Sequence, residues 1–103
     1  MNDQAGKGGG AYANPRKKDF HLLGEFQVEH NEIDLNIARE IDDRAEEGRG
    51  YADLSNAYHS LGDFRKAIEY NEKRLNIAME IADQAGEAKA YRNLGIACLF
   101  LAE

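Results

Sequence analysis

The chain has 103 residues, with 13 Lys or Arg against 19 Asp or Glu, a formal net charge of −6 at pH 7. That length holds one small domain burying roughly 60–65% of its unfolded surface, too little to wall off a roomy internal active site. The acidic excess runs through both parts, 7 basic against 11 acidic residues in 1–50 and 6 against 8 thereafter, and argues against phosphate-backbone binding as the main task.

Cys98 is the only cysteine, which excludes an internal disulfide framework and fits a reducing, cytoplasmic setting. The absence of a signal-like start and of any apolar run of bilayer length predicts no membrane insertion. Thr and Trp are absent and Val28 is the single valine, against 15 Ala, 11 Glu and 9 Leu, so the composition is that of an all-α chain.

Residues 1–18 read as a glycine-rich, poorly ordered or degenerate segment. Pro15 removes a backbone donor, and Gly8, Gly9 and Gly10 each cost about 1 kcal/mol relative to Ala inside a helix. Gly6-Lys7-Gly8-Gly9-Gly10-Ala11 meets a GxGxxA pattern, but no strand precedes it and no acidic residue is placed to read a ribose.

From residue 19 onward a 40-residue period organises the chain. Residues 28–61 laid on 68–101 give 16 identities in 34 pairs, among them Asn31, Leu35, Ile37, Ala38, Tyr51, Leu54, Ala57 and Leu61. Asp3-Gln4-Ala5-Gly6 recurs as Asp83-Gln84-Ala85-Gly86, so a damaged copy precedes the other two. Leu23-Gly24-Glu25-Phe26 echoes Leu61-Gly62-Asp63-Phe64 at an offset of 38, which marks a register slip within 7–27. The domain at 19–103 thus holds a degenerate repeat to about 45, an intact one over about 46–85 and a partial one over 86–103.

Within the intact unit Tyr51, Leu54, Tyr58 and Leu61 fall at steps of 3, 4 and 3, one stripe of a helix. Gly62 supplies a left-handed stop, and Asp63 a cap for the helix that follows. That second helix carries Phe64, Ala67, Ile68, Leu75, Ala78 and Ala82 and is expected to end near Asp83 to Gly86. Glu46, Glu47 and later Glu87 sit where helices begin, beside a positive dipole end. Asp42, Asp43, Glu46 and Glu47 form an acidic cluster, read as a solvated turn in preference to a landing site for a basic partner. Ala57, Ala67, Ala78 and Ala97 let helix axes approach, while Leu54, Tyr58, Leu61 and Leu75 fill the remaining volume.

No catalytic, cofactor or metal site is expected. Ser55 and Ser60 are the only serines, and neither lies in a nucleophile elbow. His21, His30 and His59 lack an i,i+4 partner that completes a metal site. Cys98, at the position of Tyr58 in the repeat, is expected to be an inert core thiol.

The run Tyr51, Leu54, Tyr58, Leu61-Gly62, Phe64, Ala67 and Leu75 resembles the tetratricopeptide repeat (TPR). The 40-residue period, with Ala85-Gly86-Glu87 and Tyr91-Arg92-Asn93-Leu94-Gly95, is similar to the TPR arrays of G-protein-signalling modulators of the Pins/LGN type. Departures are Ser55 for a Gly, Cys98 for a Tyr and Arg74 for the usual Ala. The GoLoco segments of those proteins are not recognisable, so binding of a G-protein α subunit is not carried over.

The resemblance implies an all-α fold of TPR-type helix-turn-helix repeats stacked in a right-handed superhelix, an α-solenoid fragment. Its concave face, lined by the first helix of each repeat, would hold an extended or helical segment of a partner. Aligned on this chain that face carries Arg49, Ala52, Asp53, Asn56, His59, Ser60, Lys89, Arg92, Asn93 and Ile96. Arg49, Asn56, His59, Lys89, Arg92 and Asn93 are the candidate peptide-binding residues. The two asparagine amides both donate and accept, and the three cations suit carboxylates. For each residue the competing reading is plain solvated helix. Chaperone-tail capture is disfavoured, because Ala52 sits where its first Lys would be.

The expected function is therefore a non-catalytic protein-protein interaction module, a TPR scaffold or signalling adaptor for a protein or peptide ligand, with no nucleic acid and no cofactor. The alternative is a structural or self-associating spacer. Ile96, Ala97, Cys98, Leu99, Phe100 and Leu101 form an apolar run without the second helix that would cover it.

Overall fold

A computed structural model describes residues 17–102 of the chain, with side chains from Leu22 onward. Four helices follow in order: α1 (Lys17–Glu40), α2 (Arg44–Leu61), α3 (Phe64–Glu80) and α4 (Gln84–Ala102). Among the described residues there is no strand. Lys17 and Lys18 open α1, so the helix reaches into the segment expected to be irregular. The rest of that expectation, including Pro15 and the Gly6 to Ala11 pattern, lies outside the described residues.

Three aspartates set the helix starts. The Asp43 carboxylate accepts from the Glu46 amide at 3.1 Å, Asp63 from Lys66 at 3.2 Å and Asp83 from Gly86 at 2.9 Å. Each satisfies one of the amide donors that a helix N-terminus leaves without an intrahelical partner. Just before each cap the backbone turns left-handed, at Asp42 (φ 58°), Gly62 (φ 83°) and Ala82 (φ 60°). Gly62 and Asp63 act as their residue types predict. Ala82 and Asp83 correct the sequence reading of α3, which closes at Glu80 because Ala82 reverses the chain and Asp83 caps α4.

The helices pack in chain order, α1 on α2, α2 on α3 and α3 on α4, whereas α1 and α4 share no extensive face. Consecutive helices are antiparallel. Gly24 of α1 lies by Leu61 and Gly50 of α2 by Leu35. Arg44 at the start of α2 bonds Glu80 at the end of α3, Nε to Oε2 at 2.8 Å. Phe64 at the start of α3 stacks on Phe100 at the end of α4, 5.1 Å between centroids. The His59 ring reaches the same Phe100 at 5.4 Å, so α4 runs alongside α2 in the same direction.

Leu35, Tyr51, Leu54 and Ile77 form the core, with Val28, Tyr58 and Tyr70 packed against it. The Tyr70 ring stacks on Tyr51 at 6.0 Å and on Tyr58 at 5.6 Å. Ala57, Ala67, Ala78 and Ala97 are all buried at helix crossings, as small residues must be where axes come close. At Gly50 the backbones of α1 and α2 come close: an added Cβ would stand 3.4 Å from Leu35 Cα. Ser55 has a use in place of the glycine of the repeat pattern, since its hydroxyl donates to the Ala67 carbonyl at 3.0 Å and ties α2 to α3.

Repeat-equivalent residues differ in burial because a helix in the middle has two neighbours and an outer one has a single neighbour. Ile77 is 3% exposed but Ile37 is 50%, and Tyr51 is 8% exposed against 52% for Tyr91. The same cause corrects the expectation for Cys98, which is exposed and not a core thiol: no described helix packs on that face of α4. The acidic cluster is likewise not wholly solvated. Glu47 is buried, bonded by Arg44 Nη1 at 2.8 Å and by the Tyr51 hydroxyl at 3.4 Å. No helix among the described residues is long and apolar enough to cross a membrane.

Candidate functional site

The side-by-side run of α2 and α4 creates a hollow of about 120 Å³ where both meet α3. Asn56 and His59 of α2 and Asn93 of α4 line it, joined by Ile96 and by the buried Ser55 and Asn71. Three of the six residues that the TPR resemblance singles out therefore border one hollow. His59 is held by two rings, edge-on to Phe64 at 5.1 Å and to Phe100 at 5.4 Å, which fixes the imidazole plane. Its Nε2 is buried and has no hydrogen-bond partner among the described residues.

A second hollow, about 280 Å³, lies between α1 and α2 and is lined by Gln27, Asn31, Asp53, Asn56, Ala57 and Ser60. Asn56 borders both hollows, so they form one polar strip along α2. Burial lifts the Asp53 carboxyl above its ordinary range, opposed by the Arg49 guanidinium nearby.

Arg49 itself is exposed, pairs with Glu46 at 3.4 Å, and borders two further hollows near the start of α2. One is shared with Arg74 and Asp83, the other with Asp34 and Asp53. Lys89 and Arg92 are exposed on α4 and stand outside these hollows. The six candidates thus divide into a shared pocket of Asn56, His59 and Asn93, and three cations spread along the flanking surface.

Two residues were not among the candidates. Asn31 and Asn71 are buried, 5% and 1% exposed, and floor the two hollows. Their signal in the sequence is an asparagine repeated at a 40-residue interval on the inward stripe of each helix, where an apolar residue would be ordinary. Among the described residues no group of three or more His, Cys, Asp or Glu is placed to hold a metal ion. The chain matches no protein-family model and no curated protein.

Proposed function

We propose that this chain is a non-catalytic interaction module of TPR type, whose α2 and α4 present a groove to a segment of a partner protein. The observation that carries the reading is the convergence of Asn56, His59 and Asn93 on one hollow between two parallel helices. In support, α1 and α4 do not close on each other, which leaves the α2 and α4 flank open in a way a closed bundle would not. Amides along the strip supply donors and acceptors to a peptide backbone of any sequence. Arg49, Lys89 and Arg92 add exposed positive charge beside it, in a chain whose net charge is −6. A cytoplasmic scaffold or signalling adaptor is the setting that fits this reading.

The test is selection of a random linear peptide library on the full chain, followed by charge reversal of Arg92 and Lys89 and by Asn56→Ala. Recovered peptides whose affinity falls several-fold in these variants support the groove. Peptides indifferent to all three changes, or no recovered peptide, refute it.

One observation favours the spacer reading as a second possibility. Leu99, Phe100 and Leu101 on α4 and Leu22, Leu23 and Phe26 on α1 are exposed by 41–69%. The Ile77 position of α3 is buried on α2, and its equivalent Ile37 on α1 is free to do the same on another α4-like surface. Sedimentation across a wide concentration range separates the readings, since a strictly monomeric chain is not stacking end to end.

A further inference from the structure

The chain carries its own template for what its two end helices can pack against. In the 40-residue period α1 is the equivalent of α3 and α4 the equivalent of α2, and the joint of α2 with α3 lies inside the molecule. That joint sets Ile77 against Gly48 and Tyr70 against Tyr51 and Tyr58, and it encloses a hollow shared by Arg49 and Ala52 of α2 with Arg74 of α3. One period away, the matching side chains Ile37, His30 and Asp34 on α1 and Tyr91, Lys89 and Arg92 on α4 are all exposed. Two half-joints thus stand at opposite ends of the fold. Since α1 and α4 share no extensive face, they do not complete each other within one molecule.

We propose that the chain stacks head to tail on a second copy of itself, α4 of one molecule docking on α1 of the next as α2 docks on α3. The inference rests on the stacking reading above and adds which faces meet and what selects them. Charge decides the pairing. At the internal hollow Arg49 shares its space with a second cation, Arg74. Transposed by one period, Lys89 and Arg92 on α4 meet Asp34 on α1, and Asp43 takes the place of Asp83. The two helices differ in the same sense as wholes, α1 holding 3 basic and 6 acidic residues and α4 holding 2 and 1. Two α1 faces would bring acidic side chains together, and two α4 faces would oppose Lys89 and Arg92 to themselves. Only the unlike pair is attractive.

The apolar side chains agree. Lys66 and Lys73 of α3 reach over the Tyr58 and Tyr51 rings, at 5.3 and 5.8 Å from the centroids. Their equivalents on α1 are Phe26 and Ile33, both exposed, which turn two charged positions into apolar cover for Cys98 and Tyr91 of the neighbouring copy. Ile37 and Ile41 take the places of Ile77 and Ile81. The one tighter point is Ala88, which stands for Gly48. A Cβ there comes to 3.1 Å from the isoleucine Cγ2, so the exposed Ile37 side chain must give by a few tenths of an ångström. Because α1 packs on α2 as α3 packs on α4, each added copy renews the same α4 face, and the assembly is open-ended.

The test is sedimentation velocity on the full chain over a wide concentration range. The proposal expects a mean sedimentation coefficient that keeps rising with concentration and does not level off at a dimer. Asp34→Arg in one variant, and Lys89→Glu with Arg92→Glu in another, are each expected to weaken association by about tenfold or more. An equimolar mixture of the two variants should recover it, because each supplies the charge that the other has lost. Should a variant fail to fold, the unmodified chain decides through salt: association selected by unlike charges weakens as salt rises, whereas purely apolar contact does not. Association that stops at a dimer, that survives either variant, or that is indifferent to salt overturns the head-to-tail inference and leaves the stacking reading standing. A chain that is monomeric throughout overturns both, and points to cover of these faces by its own residues 1–16 or by a different protein. The groove reading is decided separately, by its peptides.

Discussion

Ile77→Ala and Ile37→Ala change the same residue type at equivalent points of two repeats, yet they should behave very differently. Ile77 is 3% exposed, its Cγ2 lying 3.1 Å from where a Cβ on Gly48 would be, so it fills the space between α3 and α2. Truncating it removes the transfer energy of three carbons and leaves a cavity that two tightly crossed helices cannot close, a cost of about 2–5 kcal/mol. Ile37 is 50% exposed and its truncation falls in the surface range of about ±0.5 kcal/mol. With a urea m-value of about 1–1.5 kcal/mol/M for a chain this small, Ile77→Ala lowers the midpoint by about 1.3 M or more and Ile37→Ala by less than about 0.5 M. Urea titrations followed by circular dichroism measure both. Equal shifts would refute the reasoning, for they would mean that α1 and α3 are equally enclosed and the helices close on one another.

Ala82 holds a left-handed backbone at φ 60° that an L side chain resists, so Ala82→Gly should stabilise by about 0.5–1 kcal/mol in the same titration. Nothing lies within 4 Å of a Cβ added at Gly95 on α4, and Gly95→Ala should raise the thermal midpoint through helix propensity, by about 1 kcal/mol. Asp63→Ala removes the acceptor for the Lys66 amide and should cost about 1 kcal/mol, read as a lower midpoint. The Glu80 carboxyl is held below its ordinary value of 4.5 chiefly by its hydrogen bond from Arg44. A lowered folded-state value means a contribution present above pH 4.5 and lost as pH falls through the folded value. Arg44→Met should therefore flatten the acid limb of a stability-against-pH curve, and more so at low than at high salt.

What could be read from the chain was whatever is decided locally. Gly62 and Asp63 need only a left-handed stop and a side-chain acceptor, and the alanines at 57, 67, 78 and 97 need only the helical period that puts them on one stripe. The end of α3 was not legible, because Ala82 adopts a left-handed backbone that an L side chain ordinarily resists. Cys98 was misplaced for the complementary reason: its residue type and repeat position point inward, but burial depends on a neighbouring helix, and none of those described lies there. Of the six residues that the TPR resemblance singles out, Asn56, His59 and Asn93 border one hollow and the three cations do not. Asn31 and Asn71 stood in plain view as identities between repeats, yet that they floor the two hollows depends on how the helices pack, and only three dimensions supply that.

The most direct test of the groove is a two-dimensional ¹⁵N spectrum of the labelled chain titrated with a peptide selected on it. Peptide bound between α2 and α4 must move the signals of Asn56, His59 and Asn93 and leave that of Ile33, exposed on α1 and outside every hollow described above, unchanged. Movement confined to α1, or to the apolar stretch at Leu99 to Leu101, would contradict the account.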